Sequence, residues 1–397
     1  MLPGRYGSVQ NFYRGKNVFI TGHTGFKGSW LSIWLSKLGA NVTGFALEPP
    51  TDPSMFALCK IDDHMNSIIG DIRNYSSLMD ALNTAKSEIV FHLAAQPLVR
   101  VSYNNPVETY ETNIMGTVNL LEVVRHSPWV KAVVIITSDK CYENTESFRG
   151  YREIDRLGGF DPYSSSKACA EIVTDAFRNS FFHPERYDKH GVGIGTARAG
   201  NVIGGGDFAQ DRLVSDCIKS LMTNQKIIIR NPGAVRPWQH VLEPLSGYIK
   251  LAEKLYIHGT KFSGAWNFGP YEDNEKNVDY IVKKICSLWG NEESYVQDSS
   301  PNPHETCFLR LDSSKARQVI GFRPKWNIDK ALQKVMDWTQ AYTQNTNLYD
   351  FSLGQIEEYE KDNIMVKGTK EGKGFSTSAA IKEVAASLEP ENSGSRN

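Results

Sequence analysis

Short apolar runs alternate with amphipathic ones through the first half of the chain. The runs NVFIT, NVTGFAL, SIIGDI, EIVFHLAA and AVVIITSD are dense in β-branched and aromatic residues and read as strands. Between and after them lie GSWLSIWLSKLG, SSLMDALNTA, VETYETNIMGTVNLLEVVRHS and YSSSKACAEIVTDAFRNSFF, whose apolar positions recur at helical spacing. Strand and helix in this alternation predict an α/β fold, a Rossmann-type doubly wound parallel sheet, over residues 14–200. AVVII shows no polar alternation, as expected of a strand buried on both faces.

After GVGIGTARAGNVIGGGD the rhythm loosens into shorter helices, isolated strands such as KIIIR, and the loop segments VRPWQHVLEP and WNFGPYED. Residues 201–360 are therefore expected to form a smaller substrate-binding lobe, with some strands returning to the first domain. Small and polar residues dominate residues 368–397, which read as a flexible tail with one helical pattern, IKEVAASL.

Composition narrows the function. Lys+Arg of 44 against Asp+Glu of 45 leaves a net charge of -1, so no global field draws the protein to nucleic acid or an anionic membrane. Any anionic ligand must be held locally. The six cysteines form no CxxC pair and no zinc-spaced cluster, which predicts a reduced chain without a metal. The first residues lack the apolar core of a signal peptide, and no apolar run approaches the ~18 residues of a membrane span. A cytoplasmic protein is expected.

Directly after NVFIT come Thr21, Gly22, His23, Thr24, Gly25, Phe26, Lys27 and Gly28. Glycines at this spacing in a strand-to-helix turn let the backbone approach a pyrophosphate, which the helix N-terminus favours. Asp71 and Ile72 follow the third strand, and Leu93, Ala94, Ala95 and Gln96 follow the fourth; small residues there leave room for a ribose and phosphates. These residues are the candidate NAD-binding set. The second strand closes without the usual acid, its nearest being Glu48, so this position does not choose between NAD and NADP.

The fifth strand ends in Ser138, Asp139 and Lys140. Tyr163 and Lys167 stand four residues apart, on one face of a helix. A lysine held beside the phenol would lower its pKa from ~10, so that phenolate takes a proton from a substrate hydroxyl while hydride leaves the same carbon. Ser138 would hydrogen-bond that oxygen.

With TGHTGFKG, HLAAQ and YSSSK in order, the chain resembles the extended short-chain dehydrogenase/reductase family over roughly residues 16–359. Within it, HTGFKGSWL, TSDKCYEN, ARAGNVIGGGD, RPWQHVLEPLSGY, WNFGP and LDSSKARQVIGF are similar to the nucleotide-sugar 4,6-dehydratases that act on CDP-glucose. The resemblance implies a tightly kept NAD, Tyr163 as base at sugar C4, and Lys167 beside the cofactor. It also implies a homodimer or dimer of dimers built on the Asn113 and Tyr163 helices, with Asn113 supporting the backbone. In relatives acting on dTDP-glucose, the Asp139 and Lys140 positions carry Asp and Glu, as acid at the C6 oxygen and base at C5. A lysine can serve as that base only when neutral. Lys140 is either the C5 base or an aid to Asp139 and the nicotinamide. Arg236 and Asn201, with Arg212 and His304, are the candidates for holding the nucleotide-sugar.

Three alternatives remain open on the sequence: a dTDP- or GDP-sugar dehydratase, a nucleotide-sugar 4-epimerase, and an NAD-sensing regulator. Asp139 argues against the epimerase. The joint presence of Tyr163 and Lys167 argues against the regulator.

Overall fold

The structure is a computed structural model, and it describes residues 5–147, 149–290, 295–298 and 308–362. Seven parallel strands form the main sheet: β1 (Asn17–Thr21), β2 (Asn41–Ala46), β3 (Asn66–Ile69), β4 (Ile89–His92), β5 (Ala132–Ile136), β6 (Gly193–Arg198) and β7 (Gly264–Asn267). Their spatial order is 3-2-1-4-5-6-7, so the order reverses between β1 and β4. Ligands of doubly wound sheets bind outside the carboxyl ends at that reversal.

Strand periodicity divides the core. On β5, Val134 and Ile136 point to one face with Ile20 and Phe91, where Trp30, Trp34, Leu245 and Leu251 cover them. Val133 and Ile135 point to the other face with Phe19 and Val90, under Leu78, Leu82, Leu120 and Val124. With apolar layers on both sides, β5 has no place for polar alternation. The polar groups of its sequence therefore collect beyond its carboxyl end.

The chain after residue 200 is divided between two places. β7 pairs with β6 in the main sheet. The helices Leu213–Met222, Val278–Trp289 and Ile328–Thr343 instead enclose a separate apolar cluster around Cys217, Ile281, Ile285, Leu332 and Val335. Among the described residues, no helix is long and apolar enough to cross a membrane, and no group of histidines, cysteines and carboxylates could hold a metal ion. The expected tail and its IKEVAASL segment lie outside the described residues.

Candidate active site

The turn from β1 into the helix Phe26–Lys37 is built by glycine. Gly22 has φ +77, and a Cβ on it would come within 2.6 Å of the Ala94 backbone nitrogen. A Cβ on Gly28 would overlap the Gly22 carbonyl oxygen, so the helix start lies directly on the turn. Gly25 caps that helix in an extended conformation with no side-chain hydrogen bond, and a Cβ there would meet only the Gly22 oxygen at 3.5 Å. The first-turn N–H groups thus open into the crevice, as an anion site requires.

The loop after β4 is tied down by Asn113. Its Oδ1 accepts from the Gln96 N–H at 2.8 Å, and its Nδ2 donates to the Gln96 carbonyl at 3.1 Å and to Ser166 Oγ at 2.8 Å. A turn closed by a bond from Gly116 N–H to the Glu111 carbonyl carries Asn113, and such wide turns recur at functional sites. The Gln96 side chain is spent on Leu98 and Thr109. Leu93, Ala94 and Ala95 line the partly open crevice between.

Ser138, Asp139, Tyr163 and Lys167 come together, all nearly sealed from water. Ser138 caps the short turn Asp139–Cys141 by accepting from the Lys140 N–H at 3.2 Å, and donates to Asp139 Oδ1 at 3.0 Å. Asp139 Oδ2 has no partner among the described residues. Lys140 is half-buried, and its ammonium makes no ion pair or hydrogen bond among the described residues.

The phenol departs from expectation. Burial pushes the Tyr163 pKa up to about 12; the Ser138 hydroxyl and Arg212 draw it down, and the Asp139 charge raises it further. The Lys167 ammonium is turned under the helix, donating to the Ile136 carbonyl at 3.3 Å. Burial lowers its pKa to about 8, against the pull of Glu171.

Lys27 joins this group from the glycine loop. Burial lowers its pKa to about 8, with Arg212 and Lys167 adding to the fall and Asp139 and Asp207 opposing it. Arg212 is held by Asp207 at 2.6 Å. Asn201 has φ +47 just after β6, with its side-chain amide free of hydrogen bonds to described residues. Arg236 is on the two-stranded ladder Val235–Pro237 with Glu275–Asn277, and donates to the Val235 carbonyl. His304 lies outside the described residues.

Two members of the cofactor set face inward. The His23 ring is fully buried against Gly44 and Phe56 and meets Ser67 Oγ at 2.7 Å, because the absence of a Cβ on Gly44 leaves it a slot. The Ile72 side chain fills the space above Gly116, leaving only its backbone toward the crevice. The Asp71 carboxylate is held at 2.6 Å by Arg73, which with hydrogen bonding from that residue lowers its pKa.

Other site residues went unpredicted. His92, at the end of β4, meets Thr21 Oγ1 at 2.7 Å and Thr117 Oγ1 at 3.1 Å, and burial keeps it neutral with a pKa of about 3. Glu171, one turn beyond Lys167, accepts from Thr137, Thr196 and Arg198. The positions 163, 167 and 171 form one helical stripe, which was the available signal. Leu47, just beyond β2, and Ile69, the last residue of β3, are exposed apolar groups at the carboxyl ends of these two strands.

Comparison with known proteins gives the family. The chain is 54% identical over 350 residues to a CDP-glucose 4,6-dehydratase of Salmonella typhimurium, covering 88% of this chain and 98% of that protein. A dTDP-glucose 4,6-dehydratase of Bacillus anthracis, solved with NAD, shares the fold at TM-score 0.68 and 22% identity, over 84% of this chain and 100% of that one. A UDP-glucose 4-epimerase of Thermotoga maritima does so at TM-score 0.69 and 19% identity, over 82% and 99%. The GDP-mannose 4,6 dehydratase family model matches residues 19–335, and the chain belongs to that family of extended short-chain dehydrogenases/reductases.

Proposed function

We propose that the protein is a CDP-D-glucose 4,6-dehydratase, an NAD-dependent hydro-lyase that forms CDP-4-dehydro-6-deoxy-D-glucose and water. The observation that carries this reading is the buried Asp139 carboxylate beside Ser138 and Tyr163, an acid that C4 oxidation or epimerisation alone does not need. The 54% identity to the Salmonella enzyme supports the cytidine nucleotide.

The glycine cradle fits a dinucleotide: Gly22 and Gly28 admit no Cβ, and Gly25 opens onto free helix N–H groups. Gly22, Thr24, Gly25, Phe26, Lys27 and Gly28 would hold the pyrophosphate. Asp71, Ile72 and residues 93–96 would flank the nucleosides, with Lys167 near the nicotinamide. When bound, NAD would supply the hydride acceptor for C4 and the hydride donor for C6, with no net redox change over a turnover.

The chain's own residues move the protons. Tyr163 takes the C4 hydroxyl proton, with Ser138 donating to the same oxygen. The ketone at C4 acidifies C5, and Lys140 takes the C5 proton. Asp139 gives its proton to the C6 oxygen as the C6–O bond breaks and water leaves. Lys140 returns its proton to C5. One proton then passes through solvent from Tyr163 to Asp139, so the sum is loss of water alone. Asn201, Arg212, Arg236 and His304 are proposed to hold the sugar diphosphate.

The reading expects cytoplasmic protein with reduced cysteines. It also expects a homodimer, supported by Tyr103, Val107, Tyr110, Met115 and Ile172, all exposed on the helices that flank Tyr163. The test is incubation with CDP-, dTDP- and UDP-glucose, following the alkaline absorbance of a 4-keto sugar and loss of the C6 oxygen by mass spectrometry. Turnover of CDP-glucose with oxygen loss is expected. CDP-galactose as the product would make it an epimerase, and preference for dTDP-glucose would overturn the nucleotide assignment.

A further inference from the structure

Two buried polar atoms at the β5 tip end without a hydrogen bond among the described residues: Oδ2 of Asp139 and the hydroxyl of Tyr248. Tyr248 is on the helix Leu242–His258, which packs on β5 and β6. Its ring is fully buried and meets Phe268 edge to face at 5.5 Å. Phe268 follows directly on β7 and its N–H bonds the Arg198 carbonyl at the end of β6, so Tyr248 packs at the carboxyl ends of these strands, and the Asp139 charge adds to the burial that raises its phenol's pKa. From another side, the Asp139 carboxylate rests against Gly200 so closely that a Cβ there would overlap it. Ser138 reaches only Oδ1.

A buried hydroxyl without a partner is costly, and phenylalanine would fill the same space without that cost. A donor and an acceptor left unmatched in one neighbourhood point to each other. We propose that Tyr248 is a positioning residue for Asp139: its hydroxyl donates to Oδ2 through one enclosed water, and steadies the carboxylate left when Asp139 has given its proton to the C6 oxygen. The charge on that carboxylate appears where water is excluded, so a preoriented donor acts on the elimination step and not on C4 oxidation. The inference rests on the dehydratase reading above.

The experiment compares the full-length protein with Tyr248→Phe, Asp139→Asn and the double variant, in single turnovers of CDP-glucose followed by mass spectrometry. Wild-type protein that forms no 6-deoxy product overturns the dehydratase reading and this inference with it. Given wild-type turnover, Tyr248→Phe is expected to form the 4-keto sugar that retains its C6 oxygen at the normal rate, and to lose that oxygen about tenfold more slowly. Added to Asp139→Asn, it is expected to change nothing further, because it acts through that carboxylate. Thermal stability should hold or rise. Unchanged elimination in Tyr248→Phe overturns the inference alone. So does equal slowing of both steps, or a further tenfold loss on top of Asp139→Asn.

Discussion

Glu171 accepts a hydrogen bond from Arg198 at 2.8 Å with both side chains almost fully sealed from water, at 2% and 3% exposure. The pair links the catalytic helix Pro162–Ser180 to β6. Thr137 and Thr196 donate to the same carboxylate, and Arg198 continues to the Tyr142 hydroxyl and through it to Asn267 at the end of β7. The carboxyl ends of β5, β6 and β7 are thereby fixed under the catalytic residues.

Glu171→Gln is therefore expected to destabilise the protein by roughly 3–5 kcal/mol, because it leaves a buried guanidinium without its counter-charge. The double variant Glu171→Leu/Arg198→Met should lose less than either single change, since it removes both charges. Urea denaturation midpoints measure this. A double variant weaker than the sum of the singles would contradict the account.

Tyr163→Phe should leave the fold intact, as the ring stays packed. It should slow C4 oxidation by about 10²–10⁴, the usual worth of a positioned acid–base group. Single-turnover formation of the 4-keto sugar reads this directly, and retention of full activity would remove Tyr163 from the mechanism.

Lys140→Met separates the two proposed roles of that lysine. As the C5 base, its loss leaves the 4-keto sugar forming while exchange of the C5 hydrogen with heavy water stops. An unimpaired C5 exchange would assign the lysine to supporting Asp139 instead.

Gly28→Ala should cost about 1–3 kcal/mol and abolish tight NAD binding, because the added carbon overlaps the Gly22 carbonyl oxygen and the turn must move. Gly25→Ala tests the cradle more gently: its Cβ clears the protein at 3.5 Å and would protrude toward the pyrophosphate. Thermal melts should be unchanged for Gly25→Ala while calorimetric NAD affinity falls. Equal affinity would place the pyrophosphate elsewhere.

How much of this was legible in the sequence follows from what kind of physics fixed each part. The strand-and-helix alternation announced the parallel sheet because β1, β2, β4, β5 and β6 are buried along nearly their whole length, which leaves runs such as AVVII with no other reading. The glycine loop and the Tyr163–Lys167 spacing are local, so their geometry was carried by spacing alone. The acidity of Tyr163 was not local: burial and the Asp139 charge decide it, and Lys167 reaches the Ile136 carbonyl across the strand. His23 looked like a ligand of the glycine loop, yet it fills the slot beside Gly44, a contact 21 positions distant in sequence by residue number. Glu171, Arg198 and Tyr248 lie on three separate elements, and only the folded sheet brings them under one catalytic tip.

Buried neutral histidines set the acid limit of stability. Burial lowers His23 to a pKa of about 4, and His92 and His240 to about 3. Each would titrate at 6.5 in the unfolded chain, so between the folded value and 6.5 the unfolded state binds more protons. Their contribution is complete above pH 6.5 and is lost as pH falls toward the folded values. Glu243 runs the other way: burial raises it to about 7, so its contribution is present below its ordinary 4.5 and is lost as pH rises toward 7. Asp216, which burial raises to about 6, and the raised Glu153, Glu253 and Glu275 oppose the histidines in the same sense as Glu243, so the histidine contribution between roughly pH 6.5 and 4.5 is read one residue at a time. His240 tests this, because its ring lies between Trp30 and Trp326 and its Nε2 makes no hydrogen bond among the described residues; phenylalanine fits the same aromatic setting and gives up the 3.3 Å bond that the Leu242 N–H donates to Nδ1. His240→Phe should lower the slope of unfolding free energy against pH by about 1.4 kcal/mol per unit, measured by urea denaturation across that range. An unchanged slope would show that His240 does not remain neutral in the folded protein.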